Sequence, residues 1–200
     1  WVAQLNLNQK LPDRTLELTG EIRDILKYSG DTTNFTDLFT LEASAYFARN
    51  EPATATKLIE SSLAKSPENV QLLAAACRTY ADNGQYTNAL ALTQRILRLA
   101  PDDANTLLNE GCFQVQLSAY AAAVASFNRV LTLETNSPTA LFYRAIAQLR
   151  GDQLEPALKD YESLQRQYPK AHQVYYGLGE IAYRRQDTNT AIRHYEAYLA

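Results

Sequence analysis

The stretch YYGLGEIAYRRQ, residues 175–186, sets a Gly-x-Gly beside two arginines. Taken alone it matches the opening of a phosphate-cradling loop. Such a loop requires a preceding strand, a third glycine and a turn before its helix. Here both glycines lie inside a pattern of helical spacing. The deciding question is whether Gly177 and Gly179 hold a ligand or let two helices approach. Gly179 answers it once the chain is read for a regular internal period.

A 34-residue step from Ala55 lands on Ala89, Ala123, Ala157 and Ala191. A second column is uniformly small: Ala43, Cys77, Gly111, Ala145 and Gly179. A third holds Phe39, Leu73, Leu107, Leu141 and Tyr175, and a fourth Ile59, Thr93, Phe127, Tyr161 and Tyr195. Pro67, Pro101, Thr135 and Pro169 make a fifth. Agreement of five columns on one register defines an internal repeat. Gly179 therefore occupies a position where a first helix lies close against its neighbour. Gly177 has no repeated counterpart and reads as incidental.

Each unit reads as two helices. In 104–137, Leu107, Leu108, Gly111, Val115 and Leu117 recur at helical spacing. Ser118 and Ala119 then turn, and Val124, Phe127, Val130 and Leu131 form a second helical pattern. Gly84 and Gly151 fall in the equivalent turns, where a positive φ suits glycine. Pro156 suits the start of a second helix, and Pro67, Pro101 and Pro169 stop the helix before each junction. The β-branched alternation of strands is missing.

These columns resemble the tetratricopeptide repeat family. The match is clearest in HQVYYGLGEIAYRRQDTNTAIRHYEAYL, residues 172–199, through Tyr175, Leu178, Gly179, Tyr183, Ala191, Tyr195 and Tyr198. The resemblance covers five units: 36–69, 70–103, 104–137, 138–171 and 172–200. Thr93 in a column of large residues, Thr135 in place of proline and Gly151 one position early depart from the pattern without shifting it. The resemblance implies an all-α fold, a right-handed superhelical α-solenoid of antiparallel helix pairs. Residues 1–35 read as a degenerate repeat or cap. In them LPDRTLELTGEIRDILKY, residues 11–28, predicts one amphipathic helix with Leu16, Leu18, Ile22, Ile25 and Leu26 on its apolar face, started by Pro12 and Asp13. Trp1, Val2, Leu5 and Leu7 suit a shorter helix before it, and residues 29–33 a joint after it.

Bulk composition narrows the function. The chain is 46% hydrophobic and 20% charged, with seven Gly and seven Pro in 200 residues, an ordinary folded composition. No apolar run has the length of a membrane-spanning helix. A net charge of −3, without a basic half, disfavours nucleic acid. Cys77 and Cys112 are too few and too far apart for a Cys-x-x-Cys site and read as small buried hydrophobes. His172 and His194 lack partners at metal-ligand spacing. Asp102 and Asp103, directly before a helix, suit capping of free N–H groups. No catalytic arrangement, metal site or cofactor motif emerges. The beginning at Trp1 and the stop at Ala200 within a helical pattern suggest a fragment or processed product. Cytoplasmic residence is the default, with a periplasmic or exported location left open.

Function is thereby directed to the surface. In the resembled family the inner wall comes mainly from first helices and commonly grips an extended peptide or a partner helix. Aligned by resemblance, that wall presents Thr40, Ser44, Ala74 and Arg78, then Leu108, Asn109 and Cys112. Phe142, Ile146 and Arg150 follow, and Tyr176, Glu180, Tyr183 and Arg184 complete it. Thr40, Ala74, Leu108 and Phe142 stand where lysines would be wanted, which disfavours a receptor for chaperone C-terminal carboxylates. The expectation is a non-enzymatic scaffold holding a protein or peptide partner. The alternatives are a recruiting arm of a larger enzyme and self-assembly through the last helix, with its Tyr195, Tyr198 and Leu199.

Overall fold

A computed structural model of the chain describes residues 11–29 and 35–200, and among them eleven α-helices and no strand. The chain divides into two compact units, Trp1–Pro101 and Asp102–Ala200. The first contains α1 (Pro12–Ser29), α2 (Phe35–Ala48), α3 (Pro52–Lys65), α4 (Val70–Asp82) and α5 (Tyr86–Leu99). The second contains α6 (Ala104–Gln116), α7 (Tyr120–Leu133), α8 (Pro138–Arg150), α9 (Leu154–Gln167), α10 (His172–Arg184) and α11 (Thr188–Leu199). From α2 onward the helices form antiparallel pairs. Within the second unit α8 packs on its own partner α9, on the preceding α7, and on the first helices α6 and α10.

The turn inside each pair repeats as strictly as the core. Asn50, Gly84, Ser118, Asp152 and Gln186, each one period after the last, are left-handed, with φ between 59° and 71°. At the middle turn Ser118 N–H donates to Val115 O at 3.1 Å and Ala119 N–H to Gln114 O at 2.8 Å. These two bonds satisfy carbonyls that the helix end would otherwise leave open. The pattern recurs at Asp152 and Gln153, which donate to Leu149 O and Gln148 O. The sequence suggested Gly151 as the turn glycine of this pair. Gly151 instead has an ordinary φ of −83° as the helix cap, and its left-handed neighbour is Asp152. The register is kept and the strain passes to a residue that tolerates it.

First helices begin alike. Asn69, Asp103 and Ser137 each accept a backbone N–H in the first turn, from Leu72, Asn105 and Ala140. Such a cap contributes about 1 kcal/mol. Ala171, next in the series, makes no such bond. Of the acidic pair before α6, Asp103 is the cap, and it also accepts the Thr106 hydroxyl at 2.6 Å.

Small residues let large ones in. A Cβ on Gly111 would stand 2.5 Å from the Phe127 ring, and one on Gly179 would stand 2.8 Å from Tyr195. In both pairs an aromatic ring of the second helix lies directly on the backbone of the first. Ala123 is wholly buried in the cluster of Phe127, and Ala157 in that of Tyr161. Gly177 is not incidental: a Cβ there would run into the ring of Tyr161 from the preceding pair. Its counterpart one period earlier, Tyr143, instead stacks on Phe127 with ring centroids 6.1 Å apart. Tyr161 thus serves two hairpins at once.

Helix α1 forms where its amphipathic pattern predicts, but it turns a different face inward. Thr15 and Thr19 are fully buried, whereas Ile25 is 65% exposed and Ile22 39%. The threonine hydroxyls donate to Leu11 O and Leu16 O, which removes the cost of burying them. Arg23 pairs with the buried carboxylate of Glu42 on α2. Helix α1 is therefore docked by polar groups as well as by Leu26. The helix expected around Trp1 to Leu7 lies outside the described residues, as does the joint from residue 30.

Two stability measurements check this architecture. Ser118→Gly and Gln186→Gly relieve left-handed strain and each raise the urea midpoint by about 0.5–1 kcal/mol equivalent, while Gly84→Ala lowers it by a similar amount. Ala123→Leu overpacks the helix pair and costs about 1–3 kcal/mol in the same titration. A midpoint unmoved by Ala123→Leu contradicts the packing described.

Candidate functional site

Each unit presents its first helices as one face. In the first unit α2 and α4 enclose a cleft of about 550 Å³ lined by Thr40, Ser44, Arg78, Thr79, Asp82 and Asn83. The threonines spend their protons on the helices, Thr40 donating to Asp37 O at 2.8 Å and Thr79 to Ala75 O at 3.0 Å. Asn83 Nδ2 donates to Thr79 O at 2.7 Å. Arg78 is exposed at the cleft. The cleft is polar and carries both signs of charge.

The second unit is different. Leu108 and Cys112, a turn apart on α6, are half-buried against Val115, Ala123, Phe127 and Ala147, and Ile146 joins them. Ile146 and Phe142 also pack on the neighbouring core of Ala145, Tyr161, Val174 and Leu178. Phe142 meets Tyr161 edge-on, with ring centroids 6.2 Å apart. Asn109 and Arg150 are exposed. So are Tyr176 at 51% and Tyr183 at 68%. Tyr176 also touches the last helix, 5.5 Å from the Tyr198 ring and 6.1 Å from that of Tyr195.

These aligned positions therefore divide by environment. Leu108, Cys112, Phe142 and Ile146 are brought together as the outer margin of the core. Tyr176 and Tyr183 form an open aromatic patch. Arg184 is engaged within the protein: it donates to Leu149 O at 3.0 Å and pairs with Glu180 at 3.0 Å and Asp152 at 3.6 Å. That contact fastens α10 to the preceding turn. Arg78 belongs to the other unit and its polar cleft.

A mostly apolar pocket falls outside the repeating columns. Phe142, Tyr143, Leu164, Tyr168 and Val174, with Pro138, line an open depression of about 400 Å³ there. It sits where the first turns of α8 and α10 meet the end of α9. Its one signal in the sequence is Tyr168, an aromatic in a linker, in the position that Glu134 holds one period earlier.

Ionisable groups elsewhere serve packing. The buried Ser126 hydroxyl donates to Glu110 Oε2 at 2.9 Å, with Gln114 Oε1 also 2.9 Å away. The same two columns in the next pair hold Arg144 and Asp160, bonded twice at 2.7 Å. His194 is half-buried, with its pKa lowered by burial and then by Arg193. Among the described residues no cluster of three or more His, Cys, Asp or Glu has the makings of a metal site. No described helix is long and apolar enough to cross a membrane. Burial raises the Cys77 and Cys112 thiols to about 11 and pushes the Tyr161 phenol well above its ordinary value.

Two family models, each described as a tetratricopeptide repeat, match residues 46–108 and 144–200. Human signal recognition particle subunit SRP72 is 29% identical over 105 residues, 52% of this chain. The chain spans only 15% of that relative's length. A tetratricopeptide repeat protein from Parabacteroides merdae superposes with a TM-score of 0.72 at 16% identity, over 97% of this chain and 75% of its own. MamA from Desulfovibrio magneticus RS-1 does so at 0.68 and 17%, over 84% and 96%. Likeness at such identities concerns the fold.

The thiols supply a test of the burial described around Cys112. With pKa values near 11, both react with iodoacetamide at pH 8 about a hundredfold more slowly than a free cysteine. The rate then climbs towards pH 11. Rapid labelling of Cys112 at neutral pH would mean that the margin of the α6 core is open.

Proposed function

The chain belongs to the tetratricopeptide repeat family, whose repeats act as protein-interaction scaffolds, and from that premise we propose that the first helices of its second unit hold a partner polypeptide. The observation that carries this reading is the side-chain series on α6, α8 and α10. Leu108, Cys112, Phe142 and Ile146 make an apolar margin, and Tyr176 and Tyr183 stand open beside it. Aromatic side chains in such positions supply large contact area at small entropic cost, and they dominate many interfaces. Asn109 and Arg150 add exposed polar donors at the rim.

The partner is a protein or peptide, and the chain acts without catalysis. A chain of net charge −3 suits a polypeptide better than a polyanion. The cleft of the first unit, with Arg78, Asp82 and Asn83, offers a separate polar surface. It suits the main chain of an extended segment.

Photo-crosslinking tests the assignment without disturbing the packed residues. Benzoylphenylalanine at Tyr176 or Tyr183, on α10, forms adducts with partner proteins in native extract. The same group at Arg129 or Lys159, exposed on second helices, does not form those adducts. Tyr176→Asp with Tyr183→Asp abolishes capture of the crosslinked partner while helical circular dichroism is unchanged. Equal adducts from Lys159, or capture surviving the double substitution, would reject the first-helix face.

A further inference from the structure

We propose that the pocket between α8, α9 and α10 is the anchor point for one bulky apolar side chain, leucine or phenylalanine, carried on an acidic segment of the partner. This rests on the interaction reading above and gives the partner its chemistry. The pocket is an open depression of about 400 Å³ against Phe142, Tyr143, Leu164, Tyr168 and Val174. Tyr143 and Tyr168 are 36% and 43% exposed, so two rings wall an opening that water reaches. A single large apolar group filling such a site leaves water with much of its surface, which is favourable.

The pocket is a local feature and not a consequence of the repeat. One period earlier, Glu134 stands in the place of Tyr168 and Asn109 in the place of Tyr143. A charged and an amide side chain there replace both aromatic walls. The wall is also built before any ligand arrives. Tyr168 N–H donates to Leu164 O at 2.7 Å and Ala171 N–H to Tyr168 O at 2.9 Å. The Tyr175 hydroxyl holds Pro169 O at 2.8 Å. A preformed wall spares the ordering cost of binding.

Charge selects the segment that carries the anchor. Residues 138–143 and 164–174, which supply the lining, contain no Asp or Glu, while Glu134 and Glu162 stand just outside them. The lining stretches do contain Arg166 and Lys170, and Arg144 follows directly. Arg144 is neutralised by Asp160 at 2.7 Å. Arg166 and Lys170 flank the Tyr168 wall in sequence, are exposed, and make no hydrogen bond or ion pair among the described residues. In a chain that is negative overall, this is a locally positive surround. Acidic residues on either side of the anchor complement it, whereas basic ones are repelled.

Titration of the full chain, methyl-labelled at Leu, Ile and Val, tests the proposal with three short peptides. One is polyglutamate with a central phenylalanine, one has alanine at that centre, and one keeps the phenylalanine among lysines. The first shifts the Leu164 and Val174 methyl signals. The alanine peptide binds at least about tenfold more weakly, and the lysine peptide does not shift those signals. Arg166→Glu with Lys170→Glu, both on the surface, weakens the first peptide by about tenfold and flattens its salt dependence. Ala171→Trp plugs the opening and removes the shifts. Signals at Leu164 and Val174 that stay still at millimolar peptide overturn the proposal, as does equal binding of the alanine peptide or tighter binding of the lysine one. Shifts that follow protein concentration alone also overturn it, by identifying a second copy as the occupant. If only Leu108 and Ile146 respond, the pocket fails while the first-helix face stands. If Leu164 and Val174 respond while adducts with partner proteins form equally from Lys159, the pocket stands and the face fails.

Discussion

An aromatic ring pressed onto the backbone of a neighbouring helix is the contact on which this architecture depends. Phe127 on Gly111 and Tyr195 on Gly179 leave no room for a methyl group. Tyr161 makes the approach twice, to Ala145 in its own hairpin and to Gly177 in the next. The small residue brings the helices close, and the ring then fills the space between them at interior density. Close approach also fixes which faces remain outside. With the rings turned inward, the side chains one position after and three before the small column on α6 and α8, Cys112, Ile146, Leu108 and Phe142, become the margin of the core.

That geometry explains why the proposed recognition surface and the core share residues. Phe142 and Ile146 pack on buried side chains on one side and are half-open on the other. They hold the hairpins together and, in the proposed role, offer contact area to a partner. The exposed tyrosines of α10 and the pocket beside Phe142 extend that area without weakening the stack. Arginine plays a different part from the one its sequence position suggests. Arg184 ties α10 to the carbonyl of Leu149 and to Asp152, so its charge is largely spent inside the protein.

What the sequence disclosed follows from what repeats. Columns at a fixed period disclosed the helix pairs and the reason for Gly179, because packing demands the same size at the same place in every copy. Gly177 was illegible because its column tolerates two solutions, glycine under Tyr161 or tyrosine stacked on Phe127. The turn at Asp152 was displaced by its glycine neighbour, since composition marks a turn more loosely than φ does. The inward face of α1 was hidden because Thr15 and Thr19 bury polar groups that bond their own backbone. The repeat register says which positions share a column, but not which of them are exposed. That depends on partners such as Leu149 and Glu180, distant or unremarkable in sequence. The apolar pocket arises from residues on three helices, a conjunction that no single period encodes.

The missing side-chain cap at Ala171 has a consequence for how the second unit breathes. Helix α10 starts without the acceptor that Asp103 and Ser137 give to α6 and α8. The first turn of α10 is thus held by less than those of α6 and α8, and the amide protons there trade with solvent sooner. Fraying confined to that turn lets the aromatic surface that begins at Tyr176 loosen and reseat while the rest of the pair keeps its form.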